Sequence, residues 1–308
     1  MNDSAASTTA DATAASQPSA LASPRLLVPL ALAGVYLIWG STYLGIRIAL
    51  AGYPPFLMAA IRFLIAGAVL FFALRARGMP APTARQWRNC AVTGGLLLGF
   101  GNGMVCYAEQ SVASGIAAVA VASVALFAAL FAGFYGDWPN RREWIGLVVG
   151  FAGVVLLNLG SQMRASPVGA LALTIAAASW AFGSAWSRRQ NMPPPAMSTA
   201  AQMLCGGAVL SGFALIAGER IATVPSLAAT AALVYLIVAG SILGFSAYIY
   251  LLQHVRPALA TSYAYVNPPV AVLVGVLLAG EQVRPLDLVG MLVILAGVAA
   301  ITLAKAKR

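Results

Sequence analysis

Apolar runs of helix length follow one another along almost the whole chain, and that succession constrains the fold more than any motif. Ten spans are read, at 27–48, 56–74, 90–110, 114–135, 144–160, 168–187, 198–217, 229–252, 258–279 and 287–304. A helix rising about 1.5 Å per residue needs about 20 apolar residues to cross a hydrocarbon core about 30 Å thick. The runs are continuous rather than alternating, so they point to helices and not to a membrane barrel. Spans three and four are separated only by Ser111 to Ala113. That boundary rests on length, because 90–135 is too long for one crossing. Composition agrees: 61% of residues are hydrophobic, 8% are charged and the mean hydropathy is +0.87. A soluble protein carries about 25% charged residues. The fold class expected is an all-α polytopic membrane protein embedded in a lipid bilayer.

Where the charges fall tests the count of spans. Place the N-terminus in the cytoplasm. The inner segments then hold Arg25, Arg75, Arg77, Arg85, Arg88, Arg141, Arg142, Arg188, Arg189, Arg256, Lys305, Lys307 and Arg308, against Arg164, Arg220 and Arg284 outside. That 13-to-3 split follows the positive-inside rule and predicts both termini in the cytoplasm. It also accounts for the net charge of +10 without nucleic acid as a partner. Residues 1–25 read as a disordered tail of Ala, Ser and Thr without the basic start and apolar centre of a signal peptide. Residues 305–308 read as a short basic tail. Cys90, Cys106 and Cys205 all lie in apolar segments and form neither a disulfide framework nor a metal-ligand spacing. No phosphate-binding loop, zinc-hydrolase helix or nucleophile elbow occurs in the sequence. No catalytic residue, metal or cofactor is therefore expected, and any transport must draw on gradients of substrate or ion.

The chain repeats itself, as residues 26–162 and 163–304. Pro54-Pro55 matches Pro194-Pro195, and Gly67-Ala68-Val69-Leu70 matches Gly207-Ala208-Val209-Leu210, both at an offset of 140. Tyr107 and Gln110 match Tyr250 and Gln253 at 143, and Glu143, Gly146, Ala152 and Gly153 match Asp287, Gly290, Ala296 and Gly297 at 144. Each half holds five spans, an odd number, so the second half is predicted to sit upside down relative to the first. Inverted repeats of this kind build alternating access around a central site.

A few polar and aromatic residues fall inside the spans. Asn267-Pro268-Pro269 interrupts span nine near its middle, where the missing amide donors predict a kink and a hinge at Pro268 and Pro269. Tyr263, Tyr265 and Asn267 bring polar tips to the same depth. A proline-broken span at the bilayer midplane points to a transporter site, although a helix merely kinked against its neighbours is the competing reading. Trp39 and Trp180 lie near mid-span at nearly repeat-related positions, which suggests cavity walls rather than the usual interfacial belt. Arg62 lies about 9 Å into span two, and its counterpart in the other half is Gln202. Glu109 closes span three on the same side, so an Arg62–Glu109 pair is possible, with a structural or snorkelling role as the alternative. Asn102 lies near mid-depth. Gly95, Gly99 and Gly103, and Gly240 with Gly244, are spaced for close helix packing, and Gly101 matches Gly244. The single histidine, His254, reads as a solvated loop residue.

With Trp39-Gly40-Ser41, Arg62-Phe63, Asn267-Pro268-Pro269 leading to Gly280-Glu281, and the paired Ala152-Gly153-Val154 and Ala296-Gly297-Val298, the chain resembles the EamA family of the drug/metabolite transporter superfamily, and within it an exporter branch. The resemblance runs from about residue 30 to 304 in both repeats. It implies a ten-helix inverted-repeat transporter of a bacterial inner membrane that exports small metabolites or drugs. It also implies that spans five and ten lie outside a cavity built from spans one to four and six to nine. Span four has no proline matching Pro268 or Pro269. Few acidic groups lie at depth, so amino acids and aromatic or other amphipathic solutes fit better than cations. Uptake or exchange, as of a nucleotide-linked sugar, is the second reading, and a membrane-embedded lipid-modifying enzyme the third.

Overall fold

The computed structural model of the protein describes residues 24–111, 114–158, 167–279 and 285–303. It is all-helical over those residues. In chain order the main helices are α1 (Pro24–Ala49), α2 (Pro55–Ala76), α3 (Ala84–Ala108), α4 (Ser114–Phe134), α5 (Arg141–Asn158), α6 (Pro167–Ser187), α7 (Pro195–Ile216), α8 (Leu227–His254), α9 (Tyr263–Ala279) and α10 (Pro285–Leu303). Among the described residues six of them, α1, α2, α3, α6, α7 and α8, are long and apolar enough to cross a membrane. The expected tails at 1–25 and 305–308 lie outside the described residues, apart from the backbone of Pro24 and Arg25.

Local sequence sets the helix ends. Pro55 and Pro195 open α2 and α7, at a position where a missing amide costs nothing. The first free amides of α2, at Phe56 and Leu57, donate to the Glu219 carboxylate at 3.3 and 2.7 Å. Thr83 and Gln86 form a reciprocal capping box at the start of α3, and Ser226 caps α8. After α2 and α7 the chain turns back through Gly78 and Gly218, at φ +81° and +66°. A side chain there would be strained, and glycine is not.

Helix packing is reciprocal between the halves. α1 packs on α9 while α6 packs on α4; α1 also packs on α8 while α6 packs on α3; α2 pairs with α7 and α5 with α10. The repeated Gly-Ala-Val-Leu segment explains the α2–α7 pair. A Cβ on Gly67 would lie 2.9 Å from the Leu204 amide nitrogen, and one on Gly207 would lie 2.8 Å from the Leu64 side chain. Likewise a Cβ on Gly297 of α10 would lie 2.6 Å from the Gly150 nitrogen of α5. Small residues let backbones meet where lipid supplies no hydrophobic drive for helix association. Large apolar side chains such as Phe72, Phe134, Leu171, Leu215 and Leu277 point outward, as a lipid-facing surface requires.

Two features differ from expectation. Both α3 and α8 carry π-helical segments at matched places, Gly95–Asn102 and Leu236–Leu243, which nothing in the apolar pattern predicts. Span nine breaks earlier than Asn267-Pro268-Pro269. A single turn, Pro257–Ala260, ends at Thr261 and Ser262, and α9 starts afresh at Tyr263. The hydroxyl of Thr261 donates to the Pro257 carbonyl at 2.9 Å and that of Ser262 to the Leu259 carbonyl at 2.8 Å, each beside the backbone amide of the same residue. Pro268 and Pro269 then fall in the second turn of a new helix, where each leaves a carbonyl one turn back without its amide donor. Span nine therefore carries a break at Thr261–Ser262 that precedes the prolines and that the sequence reading did not include.

Candidate functional site

One cavity lies between the halves, enclosing about 710 Å³ of empty space with its mouth included. Its walls come from α1, α2, α3, α4, α6, α8 and α9, among them Trp39, Arg62, Asn102, Val124, Trp180, Phe245, Tyr263 and Asn267. Among the described residues neither α5 nor α10 contributes to the lining. Six residues singled out in the sequence, Trp39, Arg62, Asn102, Trp180, Tyr263 and Asn267, thus meet in one place although they lie far apart along the chain.

The floor of the cavity is aromatic. Trp39 and Trp180 meet edge to face with centroids 5.5 Å apart, and Tyr263 stands 4.9 Å and Tyr248 5.2 Å from Trp39. Such edge contacts match the positive rim of one ring to the negative face of the next. Every polar tip is spent within the box or on backbone. The Trp39 indole N–H donates to the Gly240 carbonyl at 3.0 Å, in the π segment of α8. The Trp180 indole donates to the Tyr248 hydroxyl at 3.0 Å, and that hydroxyl lies 2.7 Å from the Ser184 hydroxyl. Each indole leans on a glycine of the other half: Trp39 on Gly244, and Trp180 on Gly101, where a Cβ would lie 2.8 Å from the ring. Those two glycines are repeat-related, so their spacing in the sequence serves the box as well as helix packing.

Arg62 supplies the charge. Its side chain is 3% exposed, its Nε donates to the Ser241 hydroxyl at 2.6 Å, and its guanidinium carbon lies 4.7 Å above the Phe63 ring. A Cβ on Gly240 would lie 2.8 Å from Nη2, so the π segment with its bare glycine makes room for the guanidinium. Nη1 is buried without a hydrogen-bond partner, and so is Oδ1 of Asn267 on the α9 wall. The Arg62–Glu109 pair does not form. Glu109 caps α3, no ion pair joins it to Arg62 among the described residues, and its Oε1 has no hydrogen-bond partner. Ser241, within reach of Nε, takes the bond instead.

Tyr265 is placed differently from its neighbours. It is fully buried, but its ring lies 3.1 Å from where a Cβ on Gly150 of α5 would stand, away from the cavity, and its hydroxyl is unpartnered. It lies two positions from Tyr263, about 200° around a helix, which turns it to the opposite face. Pro268 and Pro269 are buried and do not line the cavity. Sequence reasoning missed Ser241 and Tyr248. Nothing marks Ser241, whereas Tyr248, a polar tip about one turn before the end of span eight, could have been paired with Trp180.

Residues 26–159 and 167–303 each match the EamA-like transporter family. The chain belongs to that family. It is 46% identical over 284 residues to the inner membrane transporter YedA of Escherichia coli strain K12, covering 91% of this chain and 93% of YedA. More distant relatives include a Salmonella typhimurium protein named "Probable amino-acid metabolite efflux pump", 26% identical over 85% of this chain and 90% of its own. Another, of Streptantibioticus cattleyicolor, is named "Probable terminal-alkyne amino-acid exporter" and is 27% identical over 84% of this chain and 88% of its own. A crystal structure 23% identical in sequence superposes with a TM-score of 0.75, covering 92% of this chain and 98% of that one, which shows a shared fold. The protein is thus a membrane transporter acting on a small molecule, not an enzyme.

The two sides of the aromatic floor differ. Below the aromatic floor, toward the N-terminal end of α1, the halves are laced together. Tyr36 and Ser262 share a 2.6 Å hydrogen bond, Arg256 meets the buried Glu143 carboxylate at 2.9 Å, and Arg189 donates to the Tyr135 carbonyl at 2.7 Å and meets Asp137 at 3.5 Å. Arg188 donates to the carbonyls of Leu252 and Val255. Above the floor the walls continue through Ile46, Val105 and Leu173 toward the opposite end.

Proposed function

We propose that this EamA-family protein is a secondary transporter of the bacterial inner membrane that exports small amphipathic metabolites, amino acids and aromatic compounds among them, by alternating access. In this reading ten spans form two inverted five-helix halves, 26–162 and 163–304, with both termini in the cytoplasm. The observation that carries it is a cavity walled by both halves, with the Trp39–Trp180 box as its floor. Helices that pack reciprocally can rock about a shared axis and expose the box to either side in turn. The laced end, with Arg256–Glu143 and Tyr36–Ser262, is then the closed cytoplasmic gate of an outward-facing state. The turn at Thr261–Ser262 is the hinge beside that gate, and Pro268 and Pro269 stiffen the helix that moves with it. The aromatic box would hold an apolar or aromatic substrate body, with Asn102 and Asn267 on the polar wall. Arg62 is the one charged residue among those lining the cavity, fewer cationic groups than a nucleotide-linked sugar would need.

An export screen tests this function. Cells overproducing the protein are challenged with amino-acid analogues and toxic aromatic compounds, and intracellular label is followed. The expected result is lower accumulation and higher tolerance for apolar or aromatic members of the set, abolished by Trp180→Ala at equal membrane abundance. Equal accumulation with and without the protein across the whole set would overturn it.

A further inference from the structure

Buried polar groups without partners are few in native proteins, and each calls for an explanation. Two of them border this cavity and are complementary: a donor, Nη1 of Arg62, and an acceptor, Oδ1 of Asn267. They stand on different walls, α2 and α9. The donor is held in place, because the Ser241 hydroxyl fixes Nε and Phe63 lies under the guanidinium, while Nη1 of this cavity-lining residue has no partner. The acceptor belongs to a residue 2% exposed. No carboxylate lines the cavity among the described residues, so a substrate cannot bring uncompensated positive charge there without cost. A guanidinium edge binds a carboxylate through charge-assisted hydrogen bonds that strengthen away from water.

We infer that Arg62 and Asn267 are the specificity-determining pair of the site: Arg62 anchors a substrate carboxylate through Nη1, and Asn267 Oδ1 accepts a hydrogen bond from the substrate's ammonium. The inference rests on the export reading above and deepens it, since it assigns the recognised chemistry, a zwitterion with an apolar body, to named atoms. Ser241 acts as a positioning residue. It touches Arg62, and its loss lets the guanidinium swing. The repeat-related Gln202 is also buried, yet it does not line the cavity, so only one half carries the anchor.

The test uses purified full-length protein and three probes with one ring in common: L-phenylalanine, L-phenylalaninamide, which lacks the carboxylate, and 3-phenylpropionate, which lacks the ammonium. Binding is measured by isothermal titration. Wild type should bind phenylalanine at least about tenfold more tightly than either analogue. Arg62→Gln should lose about tenfold for phenylalanine while binding the amide within about threefold of wild type, erasing the preference between them. Arg62→Lys should recover part of that preference, since charge remains without the planar fork. Asn267→Ala should erase the preference over 3-phenylpropionate. If Arg62→Gln does not fold, Ser241→Ala serves instead, with a smaller loss for phenylalanine alone. Should Arg62→Gln keep a tenfold preference for phenylalanine over its amide, the anchor is wrong. Equal binding of all three probes by wild type would overturn the inference and leave the export of aromatic solutes standing. Absence of binding by every probe would overturn both.

Discussion

Arg62 and Gln202 occupy the same place in the two halves, and the comparison separates what the fold needs from what the site needs. Both sit early in helices opened by Pro-Pro, both are buried, and both helices pack on each other through matched glycines. Gln202 turns inward along its own helix, where its Nε2 donates to the Ser198 hydroxyl at 2.8 Å. Arg62 instead crosses to the π segment of α8 and borders the cavity. Since one half folds without the charge, the charge is not a requirement of helix packing. The aromatic pair differs in the same way. Trp39 is tied to backbone at Gly240, whereas Trp180 is tied to a chain of hydroxyls, Tyr248 and Ser184, that can rearrange when the box opens.

The largest effect should come from forcing the halves to match. Gln202→Arg buries a charge against a helix partner with no acceptor prepared for it, and should destabilise the protein by about 3–5 kcal/mol, read as lost membrane abundance and a lower melting temperature in detergent. Arg62→Gln makes the match in the other direction and should cost less than about 1.5 kcal/mol while impairing transport. Equal losses of stability from the two would break the distinction between fold and site. Next come the glycines under the indoles. Gly101→Ala and Gly244→Ala should each cost about 1–3 kcal/mol by overpacking. Gly244→Ala should be the worse, because it also displaces the Trp39 bond to Gly240; thermal unfolding of the purified variants decides the order. Tyr248→Phe removes the acceptor of Trp180 and should cost about 0.5–1.5 kcal/mol, again by thermal unfolding, with a slower transport rate. The smallest effect is expected at the prolines. Replacing Pro268 and Pro269 by Ala should leave stability within about 1 kcal/mol and normalised efflux near wild type, because the chain already bends at Thr261–Ser262. A loss of efflux at normal abundance would return the hinge to those prolines.

Much of this was legible in the residues, and what was not has identifiable causes. The helices could be read because apolar runs of that length have few other fates, and the pairing of α2 with α7 was implicit in the repeated Gly-Ala-Val-Leu. Trp39, Trp180, Arg62, Asn102, Tyr263 and Asn267 stood out as polar or aromatic residues at depth, and they converge. Tyr265 was misplaced because depth along a span does not give the face on which a side chain emerges. The break of span nine at Thr261–Ser262 escaped because those hydroxyl residues carry no warning in a sequence, whereas the prolines that follow do. The π segments escaped because Gly95–Asn102 and Leu236–Leu243 are apolar whichever way they wind, although the glycines within them mark the places where Trp39 and Arg62 come close. Shared depth made an Arg62–Glu109 pair possible, but it cannot reveal that the Ser241 hydroxyl stands within bonding distance of Arg62.

The central claim is that the Trp39–Trp180 box divides one cavity that opens to each side in turn. It is tested most directly by thiol labelling in a background lacking Cys90, Cys106 and Cys205, with Ile46→Cys above the box and Tyr36→Cys below it. An impermeant reagent added outside intact cells should modify Ile46→Cys and spare Tyr36→Cys in the resting protein. A reagent confined to the cytoplasmic side should gain access to Tyr36→Cys as substrate is turned over, while Ile46→Cys becomes protected from outside. Simultaneous access to both positions from one side, or a pattern that substrate leaves unchanged, would contradict alternating access about this box.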